Sequence, residues 1–279
     1  MRLFRGRGRS EEIFEDDGPQ LTVSEVLLLP QPSDTLLRWA KSGYLRQIMP
    51  DLDALRGVSQ MPGHKDDAFI HTLKAVDSAS PTLIRRWSAL LHDIGKPATK
   101  KFEVGHGWTF HGHEVVGGRM VPKIFAQLKL PMGDNMRFVK KLVELHLRPI
   151  GMAKEEITDS AMRRLLFDAG QDFEMLILLC ESDITTKDRR KAARYIENFE
   201  LVKQRCYEVE EGDKIRNWQP PITGEMIMET FGLKPSKQVG LIKDAIREAI
   251  LDGEIPNDYD AAYQYMLKKG KEYDLAPVR

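Results

Sequence analysis

The sequence predicts an all-α fold carrying a single small β-hairpin. Three observations lead there. From Thr22 onward nearly every apolar segment repeats at helical spacing. Glycines and prolines punctuate those segments where helices should stop. Only the stretch around Gly105-His106-Gly107 has the short, turn-centred pattern of paired strands.

Taken in order, residues 1–21 are polar, Gly-rich and split into a basic and an acidic block, the pattern of a disordered arm. Residues 22–60 form a helical lead-in, with Ser33 expected to cap a run containing Leu36, Leu37 and Ala40. Pro62-Gly63 is a break. Residues 61–187 make the central domain. Asp66–Ala79 places Phe69, Leu73 and Val76 on one helical face, and Thr82–Ile94 does the same with Leu83, Trp87, Leu90, Leu91 and Ile94. Gly95, with Pro97 just beyond, is read as the stop. Lys100–Val104 and Trp108–His111 are the two arms of the hairpin. Helices follow at about Glu114–Leu128, Asn135–Leu147, Asp159–Ala169 and Asp172–Ile184. Pro122 should kink or split the first of these. Residues 188–279 hold a long charged helix, about Asp188–Glu211, then a Trp218-Gln219-Pro220-Pro221 linker and a short helical tail stopped at Gly232 and Gly253.

Composition narrows the function classes. The 279 residues carry 42 basic and 42 acidic side chains, so no global charge marks a nucleic-acid or membrane surface. No apolar stretch is long enough to span a membrane, and the basic N-terminus lacks the apolar core of a secretory signal. The two cysteines, Cys180 and Cys206, are far apart and lack metal-ligand spacing, which suits reduced thiols in a cytoplasmic protein. All seven histidines, in contrast, fall between His64 and His146. That clustering marks the region for chemistry.

The centre of that region is Leu90-Leu91-His92-Asp93-Ile94-Gly95-Lys96, where an amphipathic helix delivers an adjacent His and Asp at its C-terminal end. Neighbouring helical residues point about 100° apart, so both reach one ion only if it sits beside the helix end. An imidazole with a carboxylate suits a borderline divalent metal; the same pair can also simply cap a terminus. His71 lies on a stripe with Ala68 and Ala75, whose small side chains leave room for an ion, or else is a hydrogen-bonded core histidine. Asp183 falls on the apolar face of Leu176, Leu179 and Cys180, where a carboxylate is costly unless paired or metal-bound. Nearby Glu181 and Asp188 fit the other reading, in which the helix has already reached solvent. His113 opens the helix after the hairpin and His146 ends the stripe of Val139 and Val143. Each is open to three readings: second-metal ligand, phosphate contact or polar helix end. His111 is expected to share their cleft; His64 and His106 read as loop residues.

The order His71, His92-Asp93, Asp183 resembles the HD superfamily of metal-dependent phosphohydrolases. Pro50–Val58, Phe69–Leu73, the His92–Pro97 run, Thr109–Glu114 and the closing Ile222–Gly224, Gly232–Pro235 and Asp252–Ile255 are similar to the C-terminal half of bacterial tRNA CCA-adding nucleotidyltransferases. The likeness covers roughly residues 22 to 270 and implies an HD-type helical bundle with extra C-terminal helices. It departs from that family at the nucleotidyltransferase head. The Asp-x-Asp at Asp51-Leu52-Asp53 sits in a helical stretch, and no phosphate-cradling glycine loop is seen, so nucleotide addition by these residues alone is not expected.

The resemblance implies that His71, His92, Asp93 and Asp183 hold one divalent ion (Mg, Mn, Fe, Ni, Co or Zn), with Asp93 able to bridge to a second; one ion and two are both open. His113 and His146 would hold that second ion or, with His111, contact substrate. Lys96 would neutralise phosphate, and Asp93 would accept a proton from the attacking water. The expected activity is hydrolysis of a phosphate ester on a nucleotide or RNA end. The alternative is a non-catalytic RNA-binding half of a split CCA-adding enzyme, with tRNA held on the basic side of the long helix by Arg189, Arg190, Lys191, Arg194, Lys203 and Arg205. Interleaved Glu197, Glu200 and Glu208 fit a plain solvated face there.

Overall fold

A computed structural model describes residues 21–59, 66–153, 158–213, 215 and 218–278. The N-terminal arm, the Pro62-Gly63 break and His64 lie outside the described residues. Among the described residues the fold is helical throughout except for one two-stranded antiparallel hairpin.

The lead-in folds as α1 (Val23–Leu27), α2 (Pro32–Ser42), α3 (Tyr44–Ile48) and α4 (Pro50–Asp53). Thr22 and Glu25 close a capping box at α1, satisfying donors at both sides of the helix start. Ser33 is not the cap of α2. Gln31 holds that position with Pro32 at the first turn, where a missing N–H costs nothing, and Ser33 is drawn inward by Asp77, which accepts from its backbone N–H at 3.1 Å. The buried Arg86 guanidinium donates to the carbonyls of Leu27 and Leu29, tying the end of α1 to the central bundle.

That bundle comprises α5 (Ala68–Ser78), α6 (Leu83–Leu91), α8 (His113–Gln127), α9 (Asp134–Leu145) and α12 (Phe173–Ser182). Asp67 caps α5 by accepting from the Ile70 N–H. The short α7 (Lys96–Thr99) leads into β1 (Lys101–Glu103) and β2 (Gly107–Thr109), paired Lys101 with Thr109, Phe102 with Trp108 and Glu103 with Gly107. Helix α8 runs unbroken through Pro122, so the proline does not split it. The carbonyl that loses a partner there belongs to Gly118, and a glycine backbone adjusts to such a loss more easily than any other. Beyond α9 come α10 (Leu147–Met152), a short helix that the apolar pattern did not anticipate, then α11 (Asp159–Ala169) and a 3-10 turn at Gly170–Asp172. Helix α13 (Arg189–Asp213) packs on α11 and α12. The tail forms α14 (Gly224–Phe231), α15 (Lys237–Asp252) and α16 (Tyr259–Glu272), with left-handed Gly232 and Gly253 ending the first two.

One continuous core joins these pieces. Phe173 is fully buried at the start of α12, the helix that ends at Asp183. Phe173→Ala is expected to destabilise the protein by about 3–5 kcal/mol, read as a lowered denaturant midpoint. A cost under about 1 kcal/mol would mean α12 is not anchored there.

Candidate metal centre

Each helix of the central bundle brings chemistry-bearing side chains to one place. His71 sits on α5; His92 and Asp93 follow the last turn of α6; His113 is the first residue of α8; His146 follows α9; Asp183 follows α12. Five of these six thus lie at helix ends, where the chain is turning and a side chain can leave the packed face.

Two groups form. Ligand atoms of His71, His92 and Asp183 lie within 4.8 Å of one another, and so do those of Asp93, His113 and His146. Asp93 faces both. Its Oδ2 lies 3.2 Å from His92 Nε2 and 3.6 Å from His71 Nε2, while its Oδ1 lies 3.2 Å from His113 Nε2 and 4.0 Å from His146 Nε2. Asp183 Oδ1 completes the first group at 2.6 Å from His71 Nε2 and 3.2 Å from His92 Nε2. Lys96 Nζ donates to Asp93 Oδ2 at 2.6 Å.

The imidazole orientations follow one rule. His92 Nδ1 lies 2.7 Å from the Ala89 carbonyl, His113 Nδ1 2.8 Å from that of Phe110, and His146 Nδ1 2.7 Å from that of Val143. Each acceptor lies three residues back, and a carbonyl cannot donate, so each Nδ1 carries the proton. His71 Nδ1 is held instead by Thr185 Oγ1 at 2.9 Å. All four Nε2 atoms then face the centre, the orientation of metal-ligating histidine.

That arrangement asks for a cation. His92 Nε2 and Asp183 Oδ1 are buried without a well-formed hydrogen bond. His113 Nε2 and His146 Nε2 are 3.3 Å apart, and two lone pairs at that separation repel unless positive charge lies against both. Burial works against charge on His92, but Asp93 and Asp183 outweigh it and push the imidazole up to about 10. Burial and the nearby His92 press His146 down to about 3 despite Asp93. Burial also opposes ionised Asp93 and Asp183, yet the His92 charge, joined by Lys96 at Asp93 and His71 at Asp183, holds both carboxyls well below the usual carboxylate range. Two carboxylates and four inward-facing imidazole Nε2 atoms form a donor set that suits a divalent metal.

Glycine at position 95 brings the groups together. It does not stop α6 by a left-handed turn, as the pattern suggested; its φ of −80° is right-handed. A Cβ there would stand 2.2 Å from the His113 carbonyl oxygen and 2.8 Å from the Gly117 nitrogen, so only glycine lets α8 approach the His92-Asp93 turn.

Not every expected residue joins the cluster. His111 is outside it: its side chain is 82% exposed and lies 3.7 Å from Glu103. His111 lies in the turn between β2 and α8, two residues before the first turn of the helix that carries His113 inward. His106 is exposed in the hairpin turn. Thr185 was not anticipated; it lies beyond the helix and carries no apolar signal. The orienting carbonyls were implicit in histidines placed at helix ends. Cys180 is buried and donates to the His146 carbonyl at 3.2 Å, with burial pushing its thiol well up, as an inert structural thiol requires.

Comparison with known proteins agrees with this geometry. Residues 75–185 match the HD domain, a span that takes in His92, Asp93, His113, His146 and Asp183 and begins just past His71. The A-adding tRNA nucleotidyltransferase of Deinococcus radiodurans is 28% identical over 249 residues, covering 85% of this chain and 54% of that protein. The CC-adding tRNA nucleotidyltransferase of Thermus thermophilus is 28% identical over 261 residues, covering 90% and 56%. The multifunctional CCA protein of Pseudomonas fluorescens is 31% identical over 172 residues, covering 58% and 40%. The chain spans about half the length of the Deinococcus and Thermus relatives. No helix among the described residues is long and apolar enough to cross a membrane.

Proposed function

We propose that this HD-domain chain is a metal-dependent phosphohydrolase acting on a phosphate ester of a nucleotide or an RNA end. One observation carries the reading: six ligand-type side chains converge in two groups that share Asp93, with every histidine Nε2 turned inward. His71, His92 and Asp183 would hold one divalent ion, His113 and His146 a second, with Asp93 between them. When bound, such ions lower the pKa of a water toward neutrality and polarise a phosphoryl oxygen. The chain's own residues do the rest. Asp93 takes the proton released by the attacking water. Lys96, half-buried beside Asp93, swings to the phosphate and offsets its charge. The Nδ1 hydrogen bonds fix each ring so that no reorganisation is needed during reaction. On this reading the hydrolase domain spans residues 61–187, flanked by the lead-in at 22–60 and the helical region at 188–279.

Turnover of a generic phosphodiester and of a 2′,3′-cyclic nucleotide, with and without chelator, tests the proposal. Chelator-sensitive turnover accompanied by bound divalent metal supports it. Metal-free protein that stays inactive when metal is restored refutes it. Lys96→Ala is expected to raise KM about tenfold or more while leaving metal content unchanged, since a charge-assisted contact is lost and no ligand is. Loss of metal in that variant would move Lys96 into a structural role.

A second reading rests on the extent of similarity. Likeness to tRNA nucleotidyltransferases runs over 85–90% of the chain, well past the HD match, and so favours association with tRNA. On that reading the chain is the RNA-binding half of a split enzyme. The basic side of α13 lends limited support, because Arg205 already meets Asp159 and Glu208, and Lys203 meets Glu200.

A further inference from the structure

The hairpin beside the metal centre has two unlike faces. Strand alternation and the cross-strand register put Lys100, Phe102, Trp108 and Phe110 on one face. Lys101, Glu103, Thr109 and His111 are on the other. The contacts agree. Phe102 and Trp108 meet edge to face with centroids 5.3 Å apart, and Lys100 Nζ lies 4.4 Å from the Trp108 ring. Lys96 Nζ lies 5.7 Å from the Phe110 ring and reaches Asp93 at 2.6 Å. Two cation–aromatic contacts therefore lie on this face, Lys96 with Phe110 beside Asp93 and Lys100 with Trp108 farther out, where Phe102 adds a second ring.

Burial shows that the outer end of this face is not core. Phe102 is 59% and Trp108 44% exposed, whereas the other three tryptophans are 9% exposed or less. Exposed aromatics with no packing role cost solubility and need another use. The face also lacks carboxylates: Glu103 points to the opposite side, toward His111.

We propose that this face is a binding stripe for single-stranded nucleic acid, seating unpaired nucleotides next to the phosphate held at the metal centre. Bases stack on Trp108 and Phe102, and flanking phosphates meet Lys100 and Lys96. Stacking is indifferent to base identity, and cations beside stacking rings are the combination that single-strand binders use to hold bases and backbone together. The proposal rests on the phosphohydrolase reading where it places the reacting phosphate, and it narrows the substrate class from a free nucleotide to an oligonucleotide end.

The probe is a fluorescein-labelled single-stranded RNA of eight nucleotides, titrated with the full chain and read by anisotropy. Single-stranded RNA is expected to bind more tightly than a duplex of the same sequence. Trp108→Ala should weaken binding about tenfold, while Trp108→Phe, which keeps a ring, should stay within about threefold of the parent. Phe102→Ala provides an independent variant of the same kind. Melting temperatures establish that each variant is folded. Equal binding by parent and both alanine variants overturns the proposal, as does absence of binding by the parent. If Trp108→Ala instead abolishes a concentration-dependent dimer and the RNA does not bind, the face joins copies of the chain and the proposal is wrong. Turnover of a generic phosphodiester by the parent reports on the hydrolase reading separately, so either idea can fail alone.

Discussion

Asp93→Ala is expected to abolish phosphohydrolase activity while leaving the protein folded. Both oxygens of this carboxylate are engaged, Oδ2 toward His71 and His92 and Oδ1 toward His113 and His146. Removing it takes a ligand from both groups at once, together with the proposed proton acceptor. Turnover should fall by several orders of magnitude, because nucleophile activation and charge stabilisation are lost together. Folding should be affected little. The carboxylate lies just past the C-terminal end of α6, where the helix dipole disfavours negative charge unless a cation compensates. Its loss leaves Lys96 near the surface and opens a small polar gap rather than a hole in the core. The measurements are turnover, metal content and melting temperature on one preparation. Near-normal turnover by Asp93→Ala would remove the centre of the hydrolase reading and favour the RNA-binding one.

The second large effect is expected at Gly95. Gly95→Ala places a methyl group where the His113 backbone carbonyl now stands, and neither backbone segment is free to yield. Helix α8 must retreat from the His92-Asp93 turn. The expected cost is about 2–3 kcal/mol of stability, at the upper end of what overpacking costs. The retreat also carries His113 away from Asp93 Oδ1, so the second group should lose its ion before the first. Metal content should fall toward half that of the parent, with activity reduced more than stability alone explains. A Gly95→Ala protein of unchanged melting temperature and full metal content would show that the close approach of α6 and α8 is not a requirement of the site.

Much of this was legible in the residues because helical periodicity is a strong signal when segments are long and amphipathic. Asp159–Ala169 was bounded to the residue, and Thr158 indeed caps it. The site was legible for a related reason: a carboxylate on an apolar face, as at Asp183, contradicts its surroundings. What stayed hidden depends on contacts between distant segments. Ser33 resembles a cap until Asp77 is seen to hold it from another helix. Gly95 resembles a stop until α8 is seen pressed against it. His111 and His113 are neighbours in sequence, but one sits in the solvent-exposed turn after the hairpin and the other in the first turn of a helix. No one-dimensional pattern separates them. The end of α9 was read to within two residues, but α10 stayed hidden because its six residues, with Pro149 and Gly151 among them, are too short and interrupted to show helical periodicity.

Hydrolysis at this centre requires that the two groups hold metal. The most direct measurement is anomalous diffraction from crystals of the full chain grown with manganese. Two peaks are predicted, one enclosed by His71, His92 and Asp183 and one by His113 and His146, with the Asp93 carboxylate between them. A map without a peak at either position, with the histidines instead hydrogen-bonded to the carboxylates, would contradict it.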